Sequence, residues 1–471
     1  MTDITSSTLP SRDSTLSRKF YIAAWRWHFY AGLYVAPFLI MLAVTGLMMV
    51  WSSALLGRDG EKIHAVTPGA QAVDISRQAE AAAAAVPGGT VVQYIAPRTA
   101  DGSALFRVNL GDQSTMVAVD PYTGTALGDW TRRDALYDLA NVIHGTLLLG
   151  DTGDRLIEIA AGFAVVLIVT GLFLWWPRDG KGPGSVLLPQ FSARGRQLWK
   201  SLHMSIGFWC SAILLVFLLS GLSWAGIWGD RFTQAWSTFP ATKWDNVPLS
   251  DKTHGEHMNH DGMKEVAWTL EQTKMPVSGS KAGFDGIAEG QPVNLDTVVA
   301  LARSIGFDGR FQLAFPGGAD GVWTLSRDTM SNDSDDPLSD RTVHVDQYTG
   351  KLLADVGFAD YGLAGKAMAV GIAFHEGDMG VWNLVLNTVF CLSIIFMSVS
   401  GFVMWWKRRP SGAARLVAPA LPEKLGLWKG GAIVMIAVAL LFPLSGAVLL
   451  VVLAVDMLLV RHIKPLKRVL S

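Results

Sequence analysis

The sequence predicts an α-helical membrane protein that carries two small α+β domains outside the bilayer, and three observations support this fold class. Of the 471 residues, 50% are hydrophobic and only 17% are charged, whereas about a quarter of the residues in a soluble domain are charged. Long uncharged runs alternate with acidic segments in which helix and strand patterns follow one another. Short motifs also recur in the same order in the two halves of the chain, which indicates an internal duplication.

Four runs without Asp, Glu, Lys or Arg predict membrane spans, because a helix needs ~20 apolar residues to cross a bilayer. They cover residues 27–57, 159–177, 201–229 and 379–406. A fifth apolar run, 430–455, contains Pro443 in its middle. Since proline breaks helices, we predict a short hydrophobic hairpin there. Cys210 and Cys391 lie in apolar runs and provide neither a disulfide framework nor a CxxC metal site.

The distribution of charge predicts the orientation of these spans. Residues 178–200 contain five basic residues and one acidic residue, and residues 407–429 contain six and one. Residues 52–154 contain seven basic and twelve acidic residues, and residues 230–378 contain twelve and twenty-two. Because basic loops stay in the cytoplasm, the two acidic segments are expected outside it. The near-equal totals of 39 basic and 40 acidic residues argue against nucleic-acid binding.

The predicted organisation has eleven parts, in which each half consists of a span, an external domain, a histidine-bearing surface helix and a second span. The second external domain contains an insertion, 240–290, without a counterpart in the first. The parts are a cytoplasmic tail 1–19, span 20–57, external domain 58–133, surface helix and span 134–177, cytoplasmic loop 178–197, span 198–229, external domain 230–360, surface helix and span 361–406, cytoplasmic loop 407–426, hydrophobic hairpin 427–460 and cytoplasmic tail 461–471.

Three landmarks define the repeat: a histidine followed by a hydroxyl–glycine pair, an Asp-x-Tyr-Thr-Gly motif, and a second histidine followed by another hydroxyl–glycine pair. In the first half they are His28 with Thr45-Gly46, the motif 120–124, and His144 with Thr170-Gly171. In the second half they are His203 with Ser220-Gly221, the motif 346–350, and His375 with Ser400-Gly401. The first histidine and its glycine are 18 residues apart in both halves.

The four repeated histidines are the candidate cofactor ligands. His28 and His203 begin outward-going spans near the cytoplasmic face, whereas His144 and His375 precede inward-going spans near the external face. Ionisable residues at such positions tend to be functional, and a neutral imidazole is a common axial ligand of haem iron. We therefore predict two b-type haems, one per leaflet. A purely structural role for the histidines is the alternative. Cations that could neutralise haem propionates, or simply anchor the interface, are Arg26, Arg155 and Lys200.

Two other clusters could bind metal. His254, His257 and His260 lie in the insertion with Met258, Met263 and Met275, and imidazole and thioether groups suit copper or another transition metal. A solvated loop without metal is the favoured interpretation. The acidic stretch with Asp333, Asp335, Asp336 and Asp340 resembles a calcium loop only loosely, because the EF-hand pattern is absent. We predict a solvated turn. The Trp pairs at 175–176 and 405–406 are predicted to lie in aromatic belts at the membrane interface.

Through these landmarks, and through the segment 170–177 with its second-half copy, the chain resembles the PepSY-associated transmembrane family over residues 18–410. The resemblance implies a multi-pass protein of the bacterial inner (cytoplasmic) membrane with periplasmic PepSY domains. Many relatives are linked to iron uptake, and some are di-haem reductases of ferric siderophores. The implied haem ligands are His28, His144, His203 and His375. No flavodoxin-like or ferredoxin-reductase-like stretch is present, so the resemblance implies a separate electron donor, either quinol or a cytoplasmic reductase.

Three functional hypotheses follow, and none of them identifies a catalytic residue. The leading hypothesis is a haem-dependent oxidoreductase that passes electrons from the inner to the outer histidine pair and then to an Fe(III)-siderophore or another ferric complex. The second is a haem-free periplasmic binding or regulatory protein that uses its PepSY domains. The third is a metal or siderophore transporter with the histidines lining a path, which ranks last because the main spans contain few polar residues beyond Ser and Thr.

Overall fold

A computed structural model describes residues 12–131, 136–178, 184–233, 246–258, 266–410 and 429–455, together with residues 182, 416–419, 458, 462 and 463. The chain forms two compact units. The first consists of Met1–Val44, Gly145–Trp228 and Val389–Ser471, and the second of Thr45–His144 and Gly229–Thr388. We refer to them as the helical unit and the sheet unit.

The helices are, in chain order, α1 (Arg12–Leu56), α2 (Ile75–Ala85), α3 (Leu136–Thr146), α4 (Asp151–Trp175), α5 (Gly184–Leu187), α6 (Arg196–Leu222), α7 (His254–Met258), α8 (Leu295–Ser304), α9 (Leu363–Glu376), α10 (Val381–Trp406), α11 (Lys429–Leu441) and α12 (Pro443–Val455). The strands are β1 (Thr90–Ile95), β2 (Ala104–Leu110), β3 (Gln113–Val119), β4 (Ala126–Thr131), β5 (Leu249–Thr253), β6 (Lys274–Pro276), β7 (Gln312–Ala314), β8 (Val322–Arg327), β9 (Arg341–Asp346) and β10 (Leu352–Gly357).

Four of the described helices are long and apolar enough to cross a membrane: α1 from Phe20, α4, α6 and α10. They confirm the prediction of a multi-pass membrane protein. In the helical unit α4 packs against both α6 and α12. At the contact with α12, a Cβ on Gly162 would lie only 2.1 Å from the Ser445 hydroxyl oxygen, so the absence of a side chain at 162 permits the close approach.

The sheet unit is built on one eight-stranded sheet in the order β10-β9-β8-β7-β1-β2-β3-β4. The sequence predicted two separate small domains, but antiparallel pairing of β1 with β7 joins their strands into this single sheet. At the junction, the buried side chains of Gln93 and Gln312 form a hydrogen bond of 2.7 Å. The apolar core on one face contains residues of both segments, such as Phe106 and Leu325.

The N-termini of α2 and α8, one from each segment, are joined by a shared carboxylate. Asp296 accepts hydrogen bonds from the backbone N–H of Ser76 at 3.0 Å and from its hydroxyl at 2.6 Å. The side chain of Asn294 caps α8 by accepting from the Thr297 N–H at 3.0 Å. Acceptors at these positions satisfy N–H groups that the first helical turn leaves unpaired, so they stabilise both helices.

The Asp-x-Tyr-Thr-Gly motifs form two turns with matching hydrogen bonds. Asp120 accepts from the N–H of Tyr122 at 2.8 Å, and Asp346 accepts from that of Tyr348 at 2.8 Å. The closing glycines have φ values of +70° and +68°, a region in which a side chain would be strained. These motifs therefore build turns between strands.

The acidic stretch at 333–340 is not the solvated turn that the sequence predicted. Asp333 is 4% exposed, and its carboxylate accepts a hydrogen bond of 2.9 Å from the guanidinium of the buried Arg310. Arg310 also pairs with Asp59. The prediction was wrong for Asp333 and Asp340, because tertiary contacts rather than local polarity decide their burial.

Candidate functional site

The structure places His28 of α1 beside His203 of α6, within the helical unit. Their ring centres are 6.4 Å apart, and the rings are nearly perpendicular at 85°. The residues are far apart in sequence, so the spans of the two halves bring them together. The sequence predicted that these two histidines would form a pair.

Each ring of the His28–His203 pair is oriented by a hydroxyl group on another helix. His28 Nδ1 lies 3.0 Å from Thr170 Oγ1 on α4, and His203 Nδ1 lies 2.7 Å from Ser400 Oγ on α10. Thr170 donates its own proton to the Val166 carbonyl at 2.6 Å, and Ser400 donates to Met397 at 2.8 Å. Both hydroxyls must therefore accept from Nδ1–H, which makes Nε2 the nitrogen with the available lone pair.

A cavity of about 470 Å³ lies in the helical unit, and both His28 and His203 line it. Four glycines from the repeated segments also line it: Gly32, Gly171, Gly207 and Gly401. At Gly171 a Cβ would lie 3.2 Å from His28 Cε1, closer than most real contacts. Trp175 and Trp405, which the sequence assigned to interfacial belts, line this cavity as well. The cavity has the apolar lining and the size typical of cofactor pockets, about 300–1,000 Å³.

Three cationic side chains line the same cavity: Arg196, Lys200 and Arg408. The Nε atoms of both arginines are buried and have no hydrogen-bond partner among the described residues. Burial and the neighbouring Arg196 lower the pKa of Arg408, as expected where two cations lie close together. The sequence identified only Lys200, because nothing in the local pattern distinguishes Arg196 and Arg408.

The other two predicted cations have partners elsewhere. Arg26 donates to the Pro419 carbonyl at 2.7 Å. Arg155 lies 2.7 Å from the Asp154 carboxylate and 3.6 Å from that of Glu158. Neither lines the cavity, so a role beside a bound anion there is not supported for these two residues.

The sheet unit contains the second pair. His144 of α3 and His375 of α9 have ring centres 6.2 Å apart, with an angle of 77° between the rings. His144 Nδ1 lies 2.8 Å from Thr45 Oγ1. The sequence includes a hydroxyl residue before each repeated glycine in these landmarks, but the pattern assigned that residue no contact. That residue contacts a histidine at Thr45, Thr170 and Ser400.

The backbone that carries His375 is held by two buried amides of α10. Asn387 donates to the carbonyl of His375 at 3.0 Å, and Asn383 donates to that of Phe374 at 3.0 Å. Next along the chain, Glu376 pairs with Arg58 at 3.1 Å. Amides that cap the last carbonyls of α9 stabilise the end of this helix and hold the backbone from which the His375 ring projects.

The histidines of the insertion are arranged differently from the predicted cluster. His254 is buried and its Nε2 lies 2.9 Å from Nε2 of His344 on β9, whereas His257 is exposed and contacts Ser250 at 3.0 Å. His260 lies outside the described residues. Within the described chain, no group of three or more His, Cys, Asp or Glu side chains is arranged to hold a metal ion. Metal binding by His254, His257 and His260 remains a prediction.

The pair of His254 and His344 is satisfied as two neutral rings. His254 Nδ1 lies 2.7 Å from the Thr273 carbonyl, so it carries the proton and Nε2 accepts from His344. His344 Nδ1 then accepts from the Thr324 hydroxyl at 3.0 Å. Burial lowers the pKa of His254 to about 4, in agreement with a neutral ring. The pair thus connects the insertion to the sheet.

Four long apolar helices, a sheet unit and two histidine pairs define a multi-pass membrane protein with α+β parts. The chain belongs to the family of the PepSY-associated TM region, which it matches over residues 25–408. No protein of curated function matches the chain.

Proposed function

We propose that the protein is a di-haem electron-transfer protein that reduces a ferric complex, an Fe(III)-siderophore, at the outer side of the bacterial inner membrane. The observation that carries this proposal is the separation of the ring centres, 6.4 Å for His28–His203 and 6.2 Å for His144–His375. An iron atom bound by two imidazoles lies about 2 Å from each nitrogen, and each nitrogen lies about 1 Å from its ring centre. The expected separation is therefore about 6 Å.

The inner site fits a b-type haem in three further respects. The cavity of about 470 Å³ is large enough for a cofactor. The Nδ1 hydrogen bonds to Thr170 and Ser400 direct Nε2 of both histidines away from those helices. Arg196, Lys200 and Arg408 supply positive charge for the propionates, and the unpartnered arginine Nε atoms are suitable donors.

In this proposal bound haem supplies a one-electron Fe(III)/Fe(II) couple, and the chain contributes ligation, orientation and burial. His28 and His203 would hold the haem nearer the cytoplasm, and His144 and His375 the haem nearer the outer face. The orientation, the duplicated arrangement and the periplasmic location of the sheet unit are parts of the proposal that rest on the charge pattern and the repeat. Electrons would come from quinol or a cytoplasmic reductase.

The final step transfers one electron to the ferric complex and converts its Fe(III) to Fe(II). Siderophore oxygen ligands are hard donors, and Fe(II) binds them more weakly than Fe(III). Reduction therefore loosens the complex and releases the iron. No side chain has to form a bond to the iron of the substrate, which is consistent with the absence of an identified catalytic residue.

The test is the absorption spectrum of detergent-purified protein, oxidised and then reduced with dithionite, with a pyridine haemochrome assay. We expect about two b-type haems per chain, and one fewer in His375→Ala and in His203→Ala. The matched control is His64→Ala, since His64 stacks on Trp130 outside the pairs. Colourless protein after haem-replete expression, or full haem content in both pair variants, would contradict the proposal and favour a haem-free binding protein.

A further inference from the structure

The two units of the chain differ strongly in charge. The sheet unit, Thr45–His144 and Gly229–Thr388, contains 19 basic and 32 acidic residues, a formal charge of −13. The helical unit contains 20 basic and 8 acidic residues, a formal charge of +12. The positive-inside rule depends on Lys and Arg, and Asp and Glu contribute little to it. The orientation of the spans therefore does not account for the acidic excess of the sheet unit.

This excess persists when the buried carboxyl groups are counted as neutral. Burial raises the pKa of five carboxyl groups in the sheet unit: Asp328, Asp333, Asp340, Glu376 and Asp378. If all five are protonated, 27 acidic residues still stand against 19 basic ones, and the formal charge is −8. The negative charge of the unit therefore does not depend on the buried groups.

Part of this charge lies close to the chain segment that follows His375. Asp335 is exposed, and its Oδ2 would lie 3.6 Å from a Cβ on Gly380, five residues after His375. Asp336 is exposed as well, and its carboxylate accepts a hydrogen bond of 3.0 Å from the Leu338 N–H. A molecule that comes near this segment from solvent therefore meets carboxylates.

The cations in this region already have acceptors. Arg58 lies 3.1 Å from the Glu376 carboxylate, and Arg310 lies 2.9 Å from that of Asp333. Arg98 donates to the Asp333 carbonyl at 3.2 Å. Because Arg58 and Arg310 are paired with carboxylates of the same unit, they do little to offset the acidic excess for a molecule outside it.

We propose that the ferric complex reduced at the His144–His375 pair is neutral or positively charged and approaches the pair along the acidic surface beside Asp335. This inference rests on the proposed function, since it concerns the acceptor of that electron transfer. Fixed charge of one sign attracts molecules of the opposite sign and changes association rates by about 10- to 1,000-fold. Three hydroxamate groups balance the charge of Fe(III), whereas three catecholate groups leave a triply negative complex that this surface would repel.

The test compares three ferric complexes that differ in one pendant group. Ferrioxamine B, its N-acetyl derivative and its N-succinyl derivative are singly positive, neutral and singly negative, and their iron is coordinated identically. Full-length protein in uncharged detergent is reduced with dithionite, freed of excess reductant and mixed with each complex, and stopped-flow absorbance at the Soret band follows its re-oxidation. At low ionic strength the positive complex should react at least about tenfold faster than the negative one. The difference should shrink as salt reduces the screening length below about 10 Å.

Asp335→Lys should reduce the ratio of the positive to the negative rate by about twofold or more, because it reverses a charge on the proposed route. Glu80→Lys is the matched control, since it makes the same charge change at an exposed position on α2. That helix packs on the apolar face of the sheet, opposite the face that carries Gln312 and its partner Asp333. Glu80→Lys should therefore retain nearly the full ratio.

Equal rates for the three complexes, a faster negative complex, or the same ratio in Asp335→Lys and Glu80→Lys would overturn this proposal. Haem content, measured on the same samples, separates the two possible failures. Colourless protein would overturn the proposed function together with this inference. Haem-loaded protein that is re-oxidised equally by all three complexes would overturn this inference alone.

Discussion

At the residue scale, the partner of Nδ1 decides which ring nitrogen of a histidine carries the proton and which one can bind a metal. Thr170 and Ser400 each accept from one histidine while donating to a backbone carbonyl of their own helix. This arrangement selects one tautomer and increases the basicity of Nε2. The hydroxyl therefore influences both ligand orientation and, when a metal is bound, its reduction potential.

Thr170→Val should retain haem but raise the midpoint potential of one haem, on the order of tens of mV, because a less basic imidazole stabilises Fe(III) less. A potentiometric titration followed by absorbance would measure this shift. Ser393→Ala is the control, since Ser393 is another hydroxyl residue of α10, and it donates to the Val389 carbonyl at 2.7 Å. Identical potentials in Thr170→Val and the unsubstituted protein would show that the hydroxyl has no such role.

A second feature at the residue scale is the raised pKa of the Glu376 carboxyl group, which should make the stability of the protein depend on pH. Burial raises its pKa from 4.5 to about 8, and the Arg58 guanidinium opposes the shift. Between these two values the native state binds a proton that the unfolded state releases. The free energy of unfolding should therefore decrease as the pH rises from 5 to 8.

Glu376→Gln should remove part of this decrease, because the amide cannot ionise. Thermal unfolding midpoints at pH 5, 6, 7 and 8 would measure the slope, with Glu80→Gln, at an exposed position on α2, as the control. An unchanged slope in Glu376→Gln would mean that the native carboxyl group titrates in its ordinary range.

At the element scale, two neighbouring residues of α4 face the His28 ring. Thr170 contacts the ring through its hydroxyl, and Gly171 lies close to the ring. The two positions have different requirements. Position 170 requires a hydrogen-bond acceptor, whereas position 171 has no room for a side chain. The α4 helix therefore constrains the inner pair although it carries neither histidine.

Gly171→Ala should lower haem occupancy at the inner pair, because its Cβ would lie 3.2 Å from His28 Cε1 and displace the ring. Haem per chain and the low-spin EPR signal would measure the effect. Gly182→Ala places its Cβ more than 4 Å from any atom of the described residues and should behave like the unsubstituted protein. Normal haem content with an unaltered EPR signal in Gly171→Ala would show that the ring does not need this space.

At the scale of the whole molecule, the helical unit and the sheet unit each contain one histidine pair, and α1 and α10 contribute residues to both units. If each pair holds a haem, the two steps of electron transfer can be separated by substitution. Loss of the His28–His203 pair should interrupt the supply of electrons from the donor. Loss of the His144–His375 pair should interrupt the delivery of electrons to the ferric complex.

Dithionite-reduced His203→Ala should therefore still be re-oxidised rapidly by ferrioxamine, whereas reduced His375→Ala should be re-oxidised at least about tenfold more slowly. Stopped-flow absorbance at the Soret band would measure both rates. The unsubstituted protein and His64→Ala provide the reference. Equally rapid re-oxidation of both variants would contradict delivery through the His144–His375 pair.

The sequence by itself determined the membrane spans and drew attention to the four histidines. These features depend on local composition, on runs of about 20 apolar residues and on repeated spacing, all of which can be read along the chain. The family resemblance rested on the same landmarks, and the match over residues 25–408 confirmed it. The Asp-x-Tyr-Thr-Gly turns are likewise local, since each acidic side chain binds N–H groups two and three residues later.

Only the tertiary structure decided which hydroxyl orients which ring, which cations line the cavity, and that the strands of 90–131 and 312–357 share one sheet. It also decided that Asp333 and Asp340 are buried. The physical reason is that each feature requires contact between residues distant in sequence, such as His28 and Thr170, which are 142 positions apart. The local sequence shows the chemistry of each side chain and the spacing of similar residues. It does not show the partner of a buried polar group, because that contact forms only when the helices and strands pack.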